Sequence, residues 1–398
     1  MSKIISYSNT RIKHSTARKS PAKSFTRFAN AQNMVDAKTP ALPVYMIDQV
    51  GMQDAGAAFV AAFPGTTMFA VKTNPHPLAI EALHKGGVKA FDVASVEEMA
   101  IVRSVAPSAE MYFMHPVKSP EAIYEAYFKY GVRNFVLDHE DELYKIMRET
   151  NLANDLNLFV RVSLPKNDNA SIDLSAKFGA TPDEAIDLLR KCRSVAVKLG
   201  VAFHVGTQIY DAASYANAVA VVRNVIRRSG VKVDVLDIGG GFPVPYEGED
   251  VPSIYTCIDV IRTALSHAEL DDLELLAEPG RVLVAQSGSL VVRVELRRGN
   301  RLYINDGTYG GLFDAGAWLN TRFPVKAVRA RGGFEGTLEV FTLAGPTCDS
   351  LDMMDGPFML PNDIRTGDWI EIKNTGAYSQ SMRTNFNGFG ACETVLVG

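Results

Sequence analysis

The feature that most constrains the fold is a regular alternation, from Met68 to Gly280, between short apolar runs and longer amphipathic stretches. The longer stretches carry apolar residues at three- and four-residue spacing, which is typical of helices that pack on a sheet. Eight short runs are predicted as strands: Met68–Lys72, Ala90–Ala94, Met111–Met114, Asn134–Leu137, Leu158–Val162, Ala202–Val205, Val233–Ile238 and Glu274–Ala277. The intervening helices include Ser95–Val105, Pro120–Tyr130, Glu140–Thr150, Pro182–Leu199 and Ala213–Ser229. Eight such units predict an α/β fold with a (β/α)8 TIM-like barrel rather than an open sheet.

After Arg281 the pattern changes to closely spaced β-type runs separated by Gly, Pro and Asp turns. The runs are Ser289–Leu296, Arg301–Ile304, Leu338–Leu343, Trp369–Ile372 and Glu393–Val397. They predict a mainly antiparallel β domain after the barrel, and the earlier run Pro43–Ile47 is expected to pair with this later sheet. We therefore divide the chain into an extension (1–40), a strand joining the β domain (41–48), the barrel (49–281) and the β domain (282–398).

Residues 1–40 are basic and rich in serine, with eight Lys or Arg residues against a single acid, Asp36. This composition resembles an organellar transit peptide or an arm that binds nucleic acid or an anionic surface. The segment has no clear amphipathic stripe, so we interpret it as a flexible N-terminal extension. Since the whole chain still has a net charge of −4, its main body is acidic, which argues against nucleic acid as the principal partner.

The four cysteines are far apart in the sequence and form no pattern typical of a zinc site or a disulfide framework. No metal is therefore expected, and a reducing, cytoplasmic location fits best. No apolar run approaches the roughly 20 residues needed to cross a bilayer, and the start lacks the apolar core of a secretory signal. A membrane-spanning or secreted protein is not expected.

Chemically useful residues follow the predicted strands, where the active sites of such barrels lie. Lys72 ends the first strand, and His204 lies near the end of the sixth. Alone, a lysine at this position is usually a solvated terminator, and it becomes a nucleophile only where its site lowers its pKa, which we expect of the barrel mouth. Glycines 239, 240 and 241 follow the seventh strand and present N–H groups to an anion, although an isolated triple glycine is more often a flexible turn.

The eighth strand ends in Ala277-Glu278-Pro279-Gly280-Arg281, which places an acid and a guanidinium at the same barrel face. A surface ion pair is the simpler interpretation of this motif. Taken with the lysine, the flat histidine ring and the glycines, however, it completes what pyridoxal 5'-phosphate (PLP) requires: an amine, a stacking face, a phosphate site and a partner for the pyridine nitrogen.

With these residues in place, the chain resembles the ornithine/lysine decarboxylase branch of the alanine-racemase-fold PLP-dependent decarboxylases. Eight motifs in the same order carry the resemblance: Phe69-Ala-Val-Lys72-Thr-Asn, Phe91-Asp92-Val-Ala-Ser95, Phe203-His204-Val-Gly, Gly239-Gly-Gly-Phe, Ala277-Glu278-Pro-Gly-Arg281, Gly345-Pro-Thr-Cys348-Asp349-Ser, Gly376-Ala-Tyr378 and Phe386-Asn-Gly-Phe389. The resemblance implies a barrel plus a β domain, in a homodimer whose active sites lie at the interface and are shared between subunits.

By that resemblance, Lys72 would hold the cofactor as a Schiff base, His204 would stack on its ring and Glu278 would keep the ring nitrogen protonated. An anionic carboxylate close to the nitrogen favours the protonated ring. The other cofactor contacts implied are Asp92 near Lys72, Arg161 at the ring hydroxyl, and a phosphate site of Thr207, Gly239, Gly240, Gly241, Arg281 and Tyr378.

The resemblance also implies that the neighbouring subunit supplies Cys348 and Asp349. Cys348 would return a proton to the substrate carbon after CO2 leaves, and Asp349 would bind the distal amine of the substrate. Without the motif, a lone cysteine is usually an inert core residue. Diaminopimelate decarboxylases carry Glu after this cysteine, so Asp349 favours ornithine or lysine as substrate.

One expected residue is absent. Polyamine-forming relatives usually have a second substrate-binding aspartate some distance after an Asn-Asp-Gly-x-Tyr-Gly segment, which is present here at 305–310. Counting without gaps places Trp318 at about that position, whereas Asp314 lies four residues earlier. Asp314 would be the second carboxylate if the loop is shifted in register. Otherwise Trp318 would line the pocket and face a cation with its indole, or would simply pack between the domains.

Three alternatives stay open: a decarboxylase of another amino acid, a racemase of the same fold, and a non-catalytic regulator resembling antizyme inhibitor. A racemase would use a lysine and an opposed tyrosine as its two bases, and the Cys348-Asp349 motif disfavours it. A regulator can dispense with the cofactor residues, whereas Lys72, His204 and Glu278 are all present.

Overall fold

The described residues start in the β domain, continue through the barrel and return to the β domain. The computed structural model describes residues 25–172 and 177–398. Its first elements are β1 (Arg27–Phe28), α1 (Ala31–Lys38) and β2 (Val44–Ile47). Met34 and Val35 of α1 are fully buried against the later sheet. This differs from the flexible extension predicted for residues 1–40, because two apolar side chains are enough to dock a short helix; residues 1–24 lie outside the described residues.

Strands and helices then alternate through the barrel. The strands are β3 (Thr66–Ala70), β4 (Ala90–Val93), β5 (Glu110–Phe113), β6 (Asn134–Leu137), β7 (Asn157–Arg161), β8 (Ala170–Ile172), β9 (Lys198–Ala202), β10 (Thr207–Ile209), β11 (Val235–Asp237) and β12 (Glu274–Ala277). The helices are α2 (Gln49–Ala62), α3 (Pro77–Lys85), α4 (Val96–Val105), α5 (Pro120–Phe128), α6 (Glu140–Glu149), α7 (Pro182–Arg193), α8 (Ala213–Ser229), α9 (Ile254–Ala268) and α10 (Arg281–Val284).

Eight of these strands close into a parallel barrel in the order β3-β4-β5-β6-β7-β9-β11-β12, which confirms the predicted (β/α)8 architecture. Successive side chains of a strand face opposite sides. Met68, Tyr112 and Phe159 therefore fill the barrel interior, whereas Phe69 and Phe91 pack outward against the helices. Burying each such side chain contributes about 1.5–3 kcal/mol. The short strands β8 and β10 form a separate antiparallel pair.

Two boundaries differ from the prediction. The sixth barrel strand was expected at Ala202–Val205 and the preceding helix at Pro182–Leu199, but the helix ends at Arg193 and the strand is Lys198–Ala202. Apolar residues recur on both sides of Arg193 and Lys198, so the hydrophobic pattern alone cannot place the boundary between helix and strand. As a result His204 lies in the loop after the strand, not within it.

The β domain is one mixed sheet. It contains β13 (Gly288–Arg298), β14 (Arg301–Ile304), β15 (Val325–Val328), β16 (Leu338–Ala344), β17 (Met353–Pro361), β18 (Trp369–Ile372) and β19 (Glu393–Val397), together with β1 and β2. Antiparallel pairs predominate, and β2 lies between β13 and β19. Strands β15 and β17 were not predicted; the latter contains Gly356 and Pro357, residues that ordinarily argue against a strand. Among the described residues, no helix is long and apolar enough to span a membrane.

Candidate active site

Lys72 lies at the C-terminal end of the barrel, in a single 3-10 turn that follows β3. Its Nζ is 3.0 Å from Oδ2 of Asp92, which lies on the adjacent strand β4. The side chain of Asp92 is 2% exposed, whereas that of Lys72 is 46% exposed. Desolvation lowers the pKa of Lys72, but the carboxylates of Asp92 and Glu278 more than offset this and raise it. Without a cofactor the barrel mouth therefore raises the pKa of this lysine, and Asp92 holds the protonated amine in place.

The turn that carries Lys72 is fixed by the β domain. Tyr378 donates its backbone N–H to the carbonyl of Thr73 at 2.8 Å. Nδ2 of Asn74 donates to the carbonyl of Gly376 at 2.8 Å and to the hydroxyl of Tyr45 at 2.9 Å. These buried bonds hold the residues just after Lys72 against the segment that contains Tyr378, so the two domains build one site.

Glu278 follows β12 and shares its environment with Asp237, a fully buried acid on the neighbouring strand β11. Burial raises the pKa of Asp237 to about 6. Burial, followed by the repulsion of Asp237 and Asp92, raises the pKa of Glu278 well above its usual range. Both carboxyl groups are therefore harder to ionise than free acids, and a cation brought against Glu278 would favour its ionised form.

The three glycines after β11 bring two backbone segments into close contact with the site. Gly239 has φ 67°, and a Cβ there would lie 2.3 Å from the carbonyl oxygen of Phe203. A Cβ on Gly240 would lie 2.6 Å from the carbonyl oxygen of Glu278 and 3.1 Å from Nε2 of His204. Only glycine fits at these two positions, which lets the backbone approach a ligand closely, as a phosphate site requires; Gly239 itself donates its N–H to Oδ1 of Asp237 at 2.9 Å. Thr207 begins β10 close by.

His204 lies beside Gly239 and Gly240, with its Nδ1 accepting the backbone N–H of Gly206 at 3.1 Å. Burial, together with the positive charges of Arg161 and Lys72, lowers the pKa of His204 well below its usual range. The ring is therefore neutral and flat, which suits stacking on an aromatic ring better than pairing with a charge. Arg161 ends β7 with its guanidinium 5.7 Å from the ring centre of Phe178.

Arg281 begins α10 and is almost completely buried. Its Nη1 donates to the hydroxyl of Tyr246 at 2.8 Å and to Oδ2 of Asp314 at 2.9 Å, and its guanidinium lies 5.0 Å from the ring centre of Tyr378. Its Nε is buried without a partner among the described residues. A buried N–H with no acceptor beside a glycine cradle fits a phosphate. The donors and the carboxyl pair together fit PLP.

The structure does not gather all the predicted residues. Asp314 is 6% exposed and its carboxylate is bound to Arg281, so it is not open to a substrate in the way the shifted-register hypothesis requires. Trp318 is 91% exposed, so within one chain it neither lines a pocket nor packs between the domains. Ungapped counting could not show this because the loop 313–323 is held by tertiary contacts.

Cys348 and Asp349 lie on an exposed loop between β16 and β17. Asp349 accepts the hydroxyl of Tyr309 and the backbone N–H of Leu351 at 3.0 Å, and these bonds lower its pKa. Among the described residues no hydrogen bond or ion pair joins this loop to Lys72. The surrounding surface is apolar and includes exposed Leu351, Met382, Phe386 and Phe389.

Three contributors were missed by the sequence prediction: Asp237, Tyr246 and Asn74. Asp237 gave the strongest signal, because an acid inside an otherwise apolar strand next to the triple glycine is costly to bury without a purpose. Nothing in the sequence signalled a role in the site for Tyr246 or Asn74 beyond their position after a strand. Their roles depend on partners distant in the sequence.

Comparison with known proteins identifies the family of the chain. Residues 52–285 match the sequence profile described as "Pyridoxal-dependent decarboxylase, pyridoxal binding domain". The chain is 31% identical over 340 residues to a lysine/ornithine decarboxylase of Selenomonas ruminantium, and the match covers 82% of each protein. It is 33% identical over 356 residues to antizyme inhibitor 2 of Xenopus laevis, and that match covers 83% of this chain and 75% of the other protein. It superposes on the crystal structure of the Paramecium bursaria Chlorella virus arginine decarboxylase bound to agmatine with a TM-score of 0.80 and 26% identity, over 92% of this chain and 98% of the other. The protein belongs to the pyridoxal-dependent decarboxylases.

Proposed function

We propose that this enzyme decarboxylates ornithine or lysine and releases a diamine and CO2. The observation that carries the substrate assignment is Asp349, an ionised, solvent-facing carboxylate next to Cys348. A diamino acid brings a distal ammonium into the pocket, and burying that charge costs several kcal/mol unless a carboxylate meets it. The similarity to a lysine/ornithine decarboxylase supports the same substrates.

When bound, PLP supplies an aldehyde for amines and a ring that withdraws electrons. In our proposal Lys72 holds the cofactor covalently and Asp92 accepts the proton of its amine. Glu278, with Asp237 behind it, holds a proton at the ring nitrogen. His204 lies against the ring face, and Arg161 approaches the ring hydroxyl.

The phosphate would be bound by Thr207, the backbone of glycines 239–241, Arg281 and Tyr378. The three glycines and Arg281 follow two adjacent barrel strands, so the anion would be met by backbone N–H groups on one side and by a guanidinium on the other. The buried, unpartnered Nε of Arg281 supports this assignment.

We further propose a homodimer with two shared active sites. Within the described part of the chain no hydrogen bond or ion pair joins Cys348 or Asp349 to Lys72, and the two residues lie on an exposed surface that also carries Leu351 and Phe389. An apolar surface of this kind is expected to be covered. In a two-fold dimer, this loop would complete the site of the partner subunit, where Cys348 would deliver a proton to the substrate carbon. A cytoplasmic location stays a prediction.

A non-catalytic regulator is the second candidate, since antizyme inhibitor 2 is as similar in sequence as the enzymes. The hydrogen-bonded pair of Lys72 and Asp92, the acids Glu278 and Asp237 and the buried Arg281 argue against it. Such buried charges are costly to maintain, and a protein that binds no cofactor gains nothing from them.

The test is a panel of L- and D-amino acids assayed for CO2 release by the purified protein loaded with PLP. We expect the fastest release with L-ornithine or L-lysine. Turnover of arginine alone would overturn the substrate assignment but not the class. Turnover of neutral or acidic amino acids alone would overturn the basic class. Binding of PLP without CO2 release from any substrate would favour the regulator.

A further inference from the structure

The guanidinium of Arg281 is oriented by two residues, Tyr246 and Asp314, to which the family resemblance gives no role at the phosphate. Both hydrogen bonds that it makes within the described residues leave from Nη1, one to the hydroxyl of Tyr246 and one to Oδ2 of Asp314. Its central carbon lies 5.8 Å from the ring centre of Tyr246 and 5.0 Å from that of Tyr378. Nη1 is therefore fully engaged, while Nε has no acceptor.

The two partners come from different domains. Tyr246 lies in the loop that continues from the three glycines after β11, is 4% exposed and packs edge-on against Phe323 at 5.2 Å between ring centres. Asp314 lies in a 3-10 turn of the β domain, Phe313–Ala315, and its backbone carbonyl accepts the N–H of Thr321 at 2.8 Å. Neither anchor can move without disturbing buried neighbours, so both hold Arg281 in one orientation.

On the basis of the proposed function, we propose that Asp314 and Tyr246 are positioning residues for the cofactor phosphate, holding Arg281 through Nη1 so that its other N–H groups face the anion. Asp314 accordingly serves the cofactor and not the distal amine of the substrate.

The charge balance supports this assignment. A buried guanidinium needs a counter-charge, and before a phosphate arrives Asp314 is the carboxylate bonded to it. Once a phosphate is bound, the negative charge of Asp314 repels it. A site that used only the positive charge of Arg281 would have no need of this carboxylate, so Asp314 must serve another purpose. Orientation supplies the reason: an arginine already fixed by Nη1 loses little side-chain freedom when it binds the anion.

The experiment compares two probes, PLP and pyridoxal, which differ only in the phosphate. Each is titrated by absorbance into the full-length protein stripped of cofactor. We expect Asp314→Ala to weaken PLP binding about tenfold to a hundredfold, the range seen when a partner of a ligand-binding side chain is removed, while pyridoxal binding changes much less. Asp314→Asn keeps an oxygen that accepts from Nη1, and we expect it to restore PLP affinity.

Tyr246→Phe keeps the ring and removes the hydroxyl, so it should weaken PLP binding selectively but less than Asp314→Ala. It also tests the proposal if Asp314→Ala does not fold. Asp363→Ala is the matched control, since it breaks another ion pair of the β domain, with Arg329 at 3.1 Å, and should leave the affinity for both probes unchanged.

Equal weakening of PLP and pyridoxal by Asp314→Ala would overturn the proposal, because it would show a structural role alone. Unchanged PLP affinity with a raised KM for the diamino acid would also overturn it and would return Asp314 to the substrate. Failure of the wild-type protein to bind PLP at all would instead contradict the proposed function, so the two failures are distinguishable.

Discussion

Tyr378 donates its backbone N–H to the carbonyl oxygen of Thr73 at 2.8 Å, and this bond ties the β domain to the residue that follows Lys72. Tyr378 has φ 62°, a left-handed conformation that a bulky residue adopts only where its surroundings enforce it. The same residue places its ring against Arg281. One segment of the β domain thus fixes both the lysine turn and the arginine of the phosphate site.

Replacing Lys72 with alanine should abolish covalent attachment of PLP and reduce CO2 release by several orders of magnitude, because cofactor anchoring and exchange with the substrate both use this amine. Absorbance spectra and the mass of the protein after borohydride reduction measure the attachment. Lys85→Ala removes an exposed lysine paired with Glu81 and should behave as the wild type. Near-native turnover by the Lys72 variant would contradict the assignment.

Mixing Lys72→Ala with Cys348→Ala should restore activity that neither variant has alone. Random exchange makes about half of the dimers mixed, and each mixed dimer has one intact composite site, so about a quarter of the wild-type activity is expected. CO2 release is measured after subunit exchange has been confirmed with differently tagged chains. Absence of recovery in mixed dimers would show that the site is not shared.

Asp349→Ala should raise KM for the preferred diamino acid about tenfold to a hundredfold, since a hydrogen bond to a charged group contributes roughly 1.5–3 kcal/mol. Cofactor affinity should not change, because Asp349 is assigned to the substrate. Steady-state kinetics and PLP titration measure the two quantities. Asp355→Ala, which removes an exposed acid of β17, is the control; a loss of PLP affinity in the Asp349 variant would contradict the assignment.

Glu98 predicts a pH dependence of stability. It accepts the backbone N–H of Ala94 at 2.7 Å, and burial raises its pKa to about 7. Because the folded chain keeps a proton that the unfolded chain releases near pH 4.5, the free energy of unfolding should fall as the pH rises from about 4.5 to 7. Glu98→Gln keeps an acceptor but cannot ionise, so it should be more stable than the wild type at pH 7.5, by about 1–3 kcal/mol, but not at pH 4.5.

Urea unfolding at both pH values and at one fixed protein concentration measures this difference. The control is Glu97→Gln, which changes the exposed neighbouring residue on the same helical turn. It should change the free energy of unfolding by similar, small amounts at the two pH values. If the free energies of unfolding of Glu98→Gln and the wild type differ by the same amount at both pH values, the raised pKa of Glu98 is wrong.

The sequence by itself determined the barrel and the side of it on which the chemistry lies. Its apolar runs have strand length, and parallel strands of a closed barrel all end at one face. Residues that follow different strands, such as Lys72, His204 and Glu278, are therefore brought together by topology, without any knowledge of their contacts. The glycines after β11 were likewise identifiable, because three in succession allow an approach that no other residue permits.

Only the tertiary structure decided which groups face one another across elements. Asp314 could be counted along the chain, but its pairing with Arg281 joins two domains and depends on the path of a loop. The exposure of Trp318 and the burial of Asp237 beside Glu278 were likewise visible only in the tertiary structure. Sequence patterns report local periodicity, whereas ion pairs, raised pKa values and exposed surfaces are set by packing between segments far apart in the chain, and no local pattern encodes that packing.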